Sequence, residues 1–242
     1  MKHFKLSTFV LIPLTFLFLM GCSGNGKRIK GSGPIVSQDF DMPDISGVSL
    51  SIDADVVITR GDTQAVRIEG QQNIINNIEK IVNSNGIWNI GYYNPVKDHA
   101  GITIYITCQH FDYATISGSG DIETTNYFSD TTNVDLKISG SGNIHLKTDA
   151  YIIDSEISGS GQIYLEGTAY EHRVNISGSG DVRAYNLETV NTYIRISGSG
   201  SSQVNASGIL DVTISGSGNV YYLGTPQISI NISGSGGVYS SN

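Results

Sequence analysis

Ile116-Ser117-Gly118-Ser119-Gly120 is the stretch on which the fold turns, because the chain repeats it six more times. The pentapeptide returns at Ile138, Ile157, Ile176, Ile196, Ile214 and Ile232, at intervals of 22, 19, 19, 20, 18 and 18 residues. A near-constant period close to twenty, with one identical corner per unit, reads as a solenoid whose coils stack in register. In parallel coils about 4.8 Å apart, every residue lies over its own counterpart. A bulky residue at a tight bend would meet copies of itself above and below. Glycine admits positive φ and close backbone approach, and serine offers the corner amides a short acceptor. The corner glycines are thus Gly118, Gly120, Gly140, Gly142, Gly159, Gly161, Gly178, Gly180, Gly198, Gly200, Gly216, Gly218, Gly234 and Gly236. The seven isoleucines form one inner ladder, about 29 Å from first to last for six steps of that spacing.

Positions flanking the corner support this arrangement. Two residues before each motif isoleucine stand Ala114, Leu136, Ser155, Val174, Ile194, Val212 and Ile230. Six after it stand Ile122, Ile144, Ile163, Val182, Ser202, Val220 and Val238. Even positions are mostly apolar and odd ones polar, as the two faces of a strand require. Each coil is expected to be a strand, a Ser-Gly-Ser-Gly corner, a second strand and a variable turn of a few residues. An antiparallel sandwich of twenty-residue hairpins is the competing arrangement, but hairpins do not superimpose identical corners.

Upstream, residues 34–115 lack the perfect repeat and keep its texture. Val48, Leu50, Ile52, Ala54, Val56 and Ile58 alternate with mostly polar neighbours, and Val66 and Ile68 resume beyond a Gly61-Asp62 turn. These read as degenerate outer coils of the same solenoid. Gln71 to Val82 is the one helical candidate, with Ile74, Ile75, Ile78, Ile81 and Val82 at helical spacing, expected over an edge or end of the stack. No linker intervenes, so 34–242 is expected to be one all-β domain, a parallel β-helix with repeats over 116–242.

Residues 1–21 belong to targeting. Lys2 and Lys5 precede an apolar run, Leu6 to Met20, too short for an ordinary membrane span. It ends in Leu19-Met20-Gly21-Cys22, which resembles the lipobox of bacterial lipoproteins. That resemblance implies cleavage before Cys22 and its acylation, each buried methylene contributing about 0.8 kcal/mol to membrane anchorage. Residues 22–33 then form a lipidated cysteine and a flexible tether reaching roughly 18 Å. Ser23 favours the outer membrane, while periplasmic and outward orientations remain equally open. Cleavage removes two lysines and no acid from a formal charge of −8, leaving −10. A chain this acidic is not expected to bind nucleic acid, which rests on Lys and Arg neutralising phosphates. Cys108 alternates with Ile102, Ile104 and Ile106 and reads as a buried small hydrophobe.

The lipobox, the alternating Val48–Ile58 segment, the Asn73–Val82 stretch and the serial Ser-Gly-Ser-Gly-Asp/Asn corners together resemble the putative auto-transporter adhesin, head GIN domain family. The likeness covers nearly the whole mature chain. It implies a secreted or lipid-anchored bacterial protein with a single-stranded right-handed β-helix, and it brings no catalytic residues.

The residues themselves offer little chemistry. A phosphate loop needs one glycine-rich copy opening onto a helix, usually with a lysine; here seven copies open onto strands. Asp121, Asn143, Gln162, Asp181, Ser201, Asn219 and Gly237 follow the corners in one column. They mix acids with amides, unlike the uniform acid of calcium β-rolls, though calcium at these corners stays open. Asp135 with Asp154, Lys137 with Glu156, Arg173 and Arg195 make a mixed polar face, and Asp53 with Asp55 a carboxylate pair that turn chemistry also explains. No enzyme activity, metal or cofactor is therefore expected. Two outward serines per coil form a hydroxyl array, and Tyr164, Tyr221 and Tyr239 share an outward column suited to sugar stacking. Serines bonding one another and water, and the sheet propensity of tyrosine, account for both as well. A glycan or protein ligand on a lateral face is the expected partner, with an envelope scaffold or a β-helix polysaccharide lyase as alternatives. From Val212 to Asn242 no residue is charged, and this last coil is expected to meet a second copy at its open edge.

Overall fold

The computed structural model describes residues 28–242; the expected targeting segment, Cys22 and the first part of the expected tether lie outside the described residues. The chain winds into an all-β solenoid of about seven turns with about 19 residues per turn. On the face before the corner, Tyr113–Ile116 pairs in parallel with 135–138, and the ladder continues through 154–157, 173–176, 193–196, 211–214 and 229–232. On the face after it, Asp121–Thr124 begins a matching ladder that ends in Asn219–Leu223 and Gly237–Ser240. Ile116, Ile138, Ile157, Ile176, Ile196 and Ile214 lie one above the next and are at most 1% exposed. Each such burial stabilises by about 1.5–3 kcal/mol.

The corner is a hydrogen-bonded rung rather than an interruption. Ser139 N donates to Ile116 O at 2.8 Å and Ser141 N to Gly118 O at 3.1 Å, and later corners repeat the pattern. Preceding-coil carbonyls thus satisfy the corner amides, a task the sequence assigned to the serine hydroxyls; those side chains are exposed instead. The glycines answer to close approach. A Cβ on Gly140 would lie 1.9 Å from Gly118 O, and one on Gly161 2.0 Å from Gly142 O. Positive φ occurs only at the late corner residues Gly216 and Gly234 among the fourteen. The variable turn is also absent from the central coils. Asn143–Ile157, Gln162–Ile176 and Asp181–Ile196 each run as unbroken strands from one corner to the next.

Residues 34–115 depart from simple coiling. Two coil-like segments are present, but in reverse order. Gly47–Leu50 lies between Ile87–Ile90 and Tyr113–Ile116, and Asp55–Arg60 lies between Thr103–Cys108 and Asp121–Thr124. Outside them, Ala65–Gln71 runs antiparallel to Thr103–Cys108, and Ile35–Phe40 antiparallel to Ala65–Gln71. Alternation of β-branched residues serves antiparallel and parallel pairing equally, which is why this stretch read as outer coils. The helical candidate shrinks to one turn, Gln72–Ile75, over this end of the stack. Its Ile74 and Ile75, with Ile78 and Trp88, have no exposed surface, and Trp88 Nε1 donates to Glu79 O at 2.8 Å. Among the described residues the buried apolar core runs from Ile45 to Val220, well inside 28–242.

Candidate binding surface

The first outward column after the corner is structural. Asp121 Oδ1 accepts the backbone amide of Asn143 at 2.8 Å and its side-chain amide at 3.0 Å. Asp181 Oδ1 takes the Ser201 amide at 2.9 Å, and Asn219 Oδ1 the Gly237 amide at 3.0 Å. These three side-chain oxygens each cap the next coil, a role that an acid and an amide fill alike. Among the described residues, no group of three or more His, Cys, Asp or Glu could hold a metal ion. At the head of the column Asp55 faces Asp121. Burial first, then the charges of Asp121, Asp53 and Glu123, hold its carboxyl above the ordinary range.

The second outward column runs Glu123, His145, Tyr164, Arg183, Gln203, Tyr221 and Tyr239. It brings the three sequence-selected tyrosines into line and uses most of their ring faces internally. His145 stacks on Tyr164 at 4.1 Å, and Arg183 covers the ring at 5.5 Å. Tyr221 and Tyr239 stack on each other at 5.5 Å. A sugar cannot stack on a ring face already covered, so Tyr164 is a poor platform.

On the opposite face, Asp135, Asp154 and Arg173 lie in one column and Lys137 and Glu156 in the next. Lys137 Nζ donates to Glu156 Oε2 at 2.9 Å, and Arg173 pairs with Glu171 at 2.5 Å and Asp154 at 3.6 Å. The Asp154 carboxyl is raised by burial, against the pull of Arg173, with Asp135 adding to the rise. Shallow grooves of about 330 Å³ and 380 Å³ adjoin at Asn175. Lys137 with Glu156, and Arg173 with Glu171 and Asp154, form partly exposed ion pairs along them, while Asp135 and Arg195 also line the grooves.

Sequence reasoning missed the aromatic pair at the broad second bend. Tyr151 and Tyr170 stack with ring centroids 5.0 Å apart and planes within 2°, while 55% and 44% exposed. Their separation of 19 residues, one coil, was the available signal. Neighbouring register places Thr132 before Tyr151 and Val190 after Tyr170. Tyr151, the more exposed of the two rings, thus has the short Thr132 and not another aromatic in register on its other side. Val190, 40% exposed, extends the apolar patch.

Nucleophilic and basic groups inside the solenoid are out of reach of any substrate. Cys108 is 1% exposed and burial pushes its thiol up to about 12. His172 is fully buried, with Nε2 3.0 Å from Ser155 Oγ and Nδ1 unpartnered. Desolvation lowers it to about 3, so the imidazole is neutral.

The family model described as "Putative auto-transporter adhesin, head GIN domain" matches residues 44–226. Among solved structures, the chain is similar to a putative adhesin from Bacteroides fragilis NCTC 9343, with TM-score 0.82 and 23% identity over 88% of this chain and 99% of that one. A putative lipid binding protein from Parabacteroides distasonis ATCC 8503 matches with TM-score 0.74 and 22% identity, over 89% and 100% of the two chains. A putative adhesin from Parabacteroides merdae ATCC 43184 gives 0.72 and 17%, over 89% and 99%. At these identities the likeness establishes the fold. No curated protein matches the chain.

Proposed function

The chain belongs to the putative auto-transporter adhesin, head GIN domain family, and from that premise we propose that it is a non-catalytic, lipid-anchored protein of the bacterial cell envelope, binding glycans through its lateral surface. The Tyr151–Tyr170 stack carries this reading. It is a stacked, exposed aromatic platform, and the C–H face of a sugar ring packs on such a surface. Several charged groups of the two faces already have structural uses, Lys137, Glu156, Asp154, Glu171 and Arg173 in ion pairs and Asp121 and Asp181 in amide caps, which supports a non-catalytic reading. Anchorage at Cys22, outer-membrane placement and a tether over residues 23–33 follow from the lipobox resemblance. They would hold the solenoid near a membrane with its sides accessible.

The test is a glycan array and a cell-binding assay on residues 28–242. Retained glycans should bind about tenfold more weakly, or worse, to Y151A/Y170A. An unchanged profile in that double variant would remove the platform from the proposal. The absence of any glycan or cell binding would favour the envelope-scaffold reading. Release of unsaturated sugar products from acidic polysaccharides, followed in the ultraviolet, would overturn the non-catalytic reading.

A further inference from the structure

We propose that the last coil is a self-association surface, and that a second copy of this chain covers it tail to tail about a two-fold axis through the Gly234–Gly236 corner. Among the described residues, none is paired beyond this coil to cover the core columns. Leu210, Val212 and Ile214 are at most 1% exposed, whereas their register partners Ile228, Ile230 and Ile232 are 40%, 51% and 38% exposed. Gln227–Gly234 and Gly237–Ser240 are each paired on one edge only, to the coil before. An open sheet edge bearing core isoleucines is a surface built to be covered.

Three observations select a second copy as the occupant. The first is charge: with no Asp, Glu, Lys, Arg or His from Val212 to Asn242, the surface opposes no like charge when it meets itself. The second is the corner. Gly234 packs against Gly216 O, where a Cβ would lie 2.2 Å away, and Gly236 against Gly218 O, where it would lie 2.1 Å away. Gly234 and Gly236 present the same bare backbone outward, and a flush partner must bring glycine to meet it. This chain's own corner does so. The third is closure. The other end of the stack is lidded by the helical turn and the antiparallel strands, with Ile74, Ile75, Ile78 and Trp88 fully buried. Head-to-tail growth has no second open core to use, and an isologous contact stops at two.

A two-fold axis through Ser235 also satisfies strand parity. It sets the strand before the corner antiparallel to its mate's strand after the corner, with Ile232 opposite Val238 and Asn231 opposite Tyr239. Inward residues then face inward ones and outward face outward. The glycine corner, the open isoleucines and the lack of charge thus agree on one geometry.

Sedimentation equilibrium on residues 28–242 is expected to give twice the mass of one chain, falling to a single chain in Ile230→Lys. Ile230 is already half exposed in one copy, so the variant should keep the wild-type circular dichroism. Independently, oxidised Ser235→Cys should form a covalent dimer and Ser217→Cys, one coil inward, should not; buried Cys108 does not compete. A single-chain mass for the wild type at every loading, a mass beyond two chains, or equal cross-linking at 217 and 235 would overturn the proposal. Should Ile230→Lys lose its fold, the two cysteine variants still decide.

Discussion

The corner at 51–54 and the corner stacked on it at 117–120 occupy equivalent places in the ladder, yet one carries Ile52 and Ala54 where the other carries Gly118 and Gly120. What lies beneath each corner accounts for the difference. Under 51–54 the chain makes a wide excursion between Ile90 and Thr103, leaving room for side chains, and Ile52 is 6% exposed. Under 117–120 lies a tight corner, and a Cβ on Gly120 would come within 2.1 Å of Ala54 O. Glycine here is a property of the contact between coils, not of the turn itself. The cores differ as well. Around the lidded end the interior is apolar, with Asn77 its buried polar exception, while the repeats enclose Thr148, Ser155, His172, Thr189, Thr192 and Ser202.

The contrast between corners can be broken most decisively at Gly161. Gly161→Ala is expected to lower the unfolding free energy by about 3 kcal/mol in a urea titration, since the added methyl meets a backbone carbonyl. Ala54→Gly in the other corner should cost less than about 1 kcal/mol; comparable losses would mean that the turn, not the contact, demands glycine.

The contrast between cores is sharpened by acid. His172 in the folded chain is held far below its unfolded value of 6.5. Above that pH both states are neutral there and nothing is lost. As pH falls below it the unfolded chain takes up a proton that the folded one refuses, so stability declines toward pH 3 by about 1.4 kcal/mol per unit. Subtracting the pH profile of His172→Leu from that of the wild type isolates this slope from carboxylate titration, and parallel profiles would remove His172 as its source.

Two smaller effects compare one column across the regions. Asp181→Ala leaves the Ser201 amide without its acceptor and should cost about 1 kcal/mol, with Asp181→Asn milder. Asp55, crowded by Asp121 rather than capping an amide, should behave oppositely. Its carboxyl is raised in the fold, so ionisation opposes folding above the usual carboxylate range. Asp55→Asn is expected to raise the melting temperature slightly at neutral pH, worth about 0.5 kcal/mol or less.

Much of the repeat region was legible because its information is local. The register columns Ala114–Ile230 and Ile122–Val238 appear as counted offsets from one motif, and the paired strands reproduce them. The N-terminal region resisted because its pairing is not local. Nothing in Val48–Ile58 states that Ile87–Ile90 will slide beneath Gly47–Leu50, and Val66 and Ile68 alternate identically whether their strand runs with or against Ile104 and Ile106. The surface was partly legible: Tyr164, Tyr221 and Tyr239 do share a column, but ring faces become occupied only in three dimensions. Tyr151 and Tyr170 lie outside the alternating strand positions, at the bend where parity counting fails.

A corner that fits only upon its own likeness also sets how such a molecule can change in size. Duplicating 158–176 would place glycine over glycine carbonyl at both new junctions and leave each end as it is. Duplicating half that stretch would drive a side chain into backbone. The stack can therefore lengthen or shorten along its axis only in quanta of one turn, about 19 residues and about 4.8 Å. Such a gene can tune how far its product reaches by counting turns, with no new contact to invent.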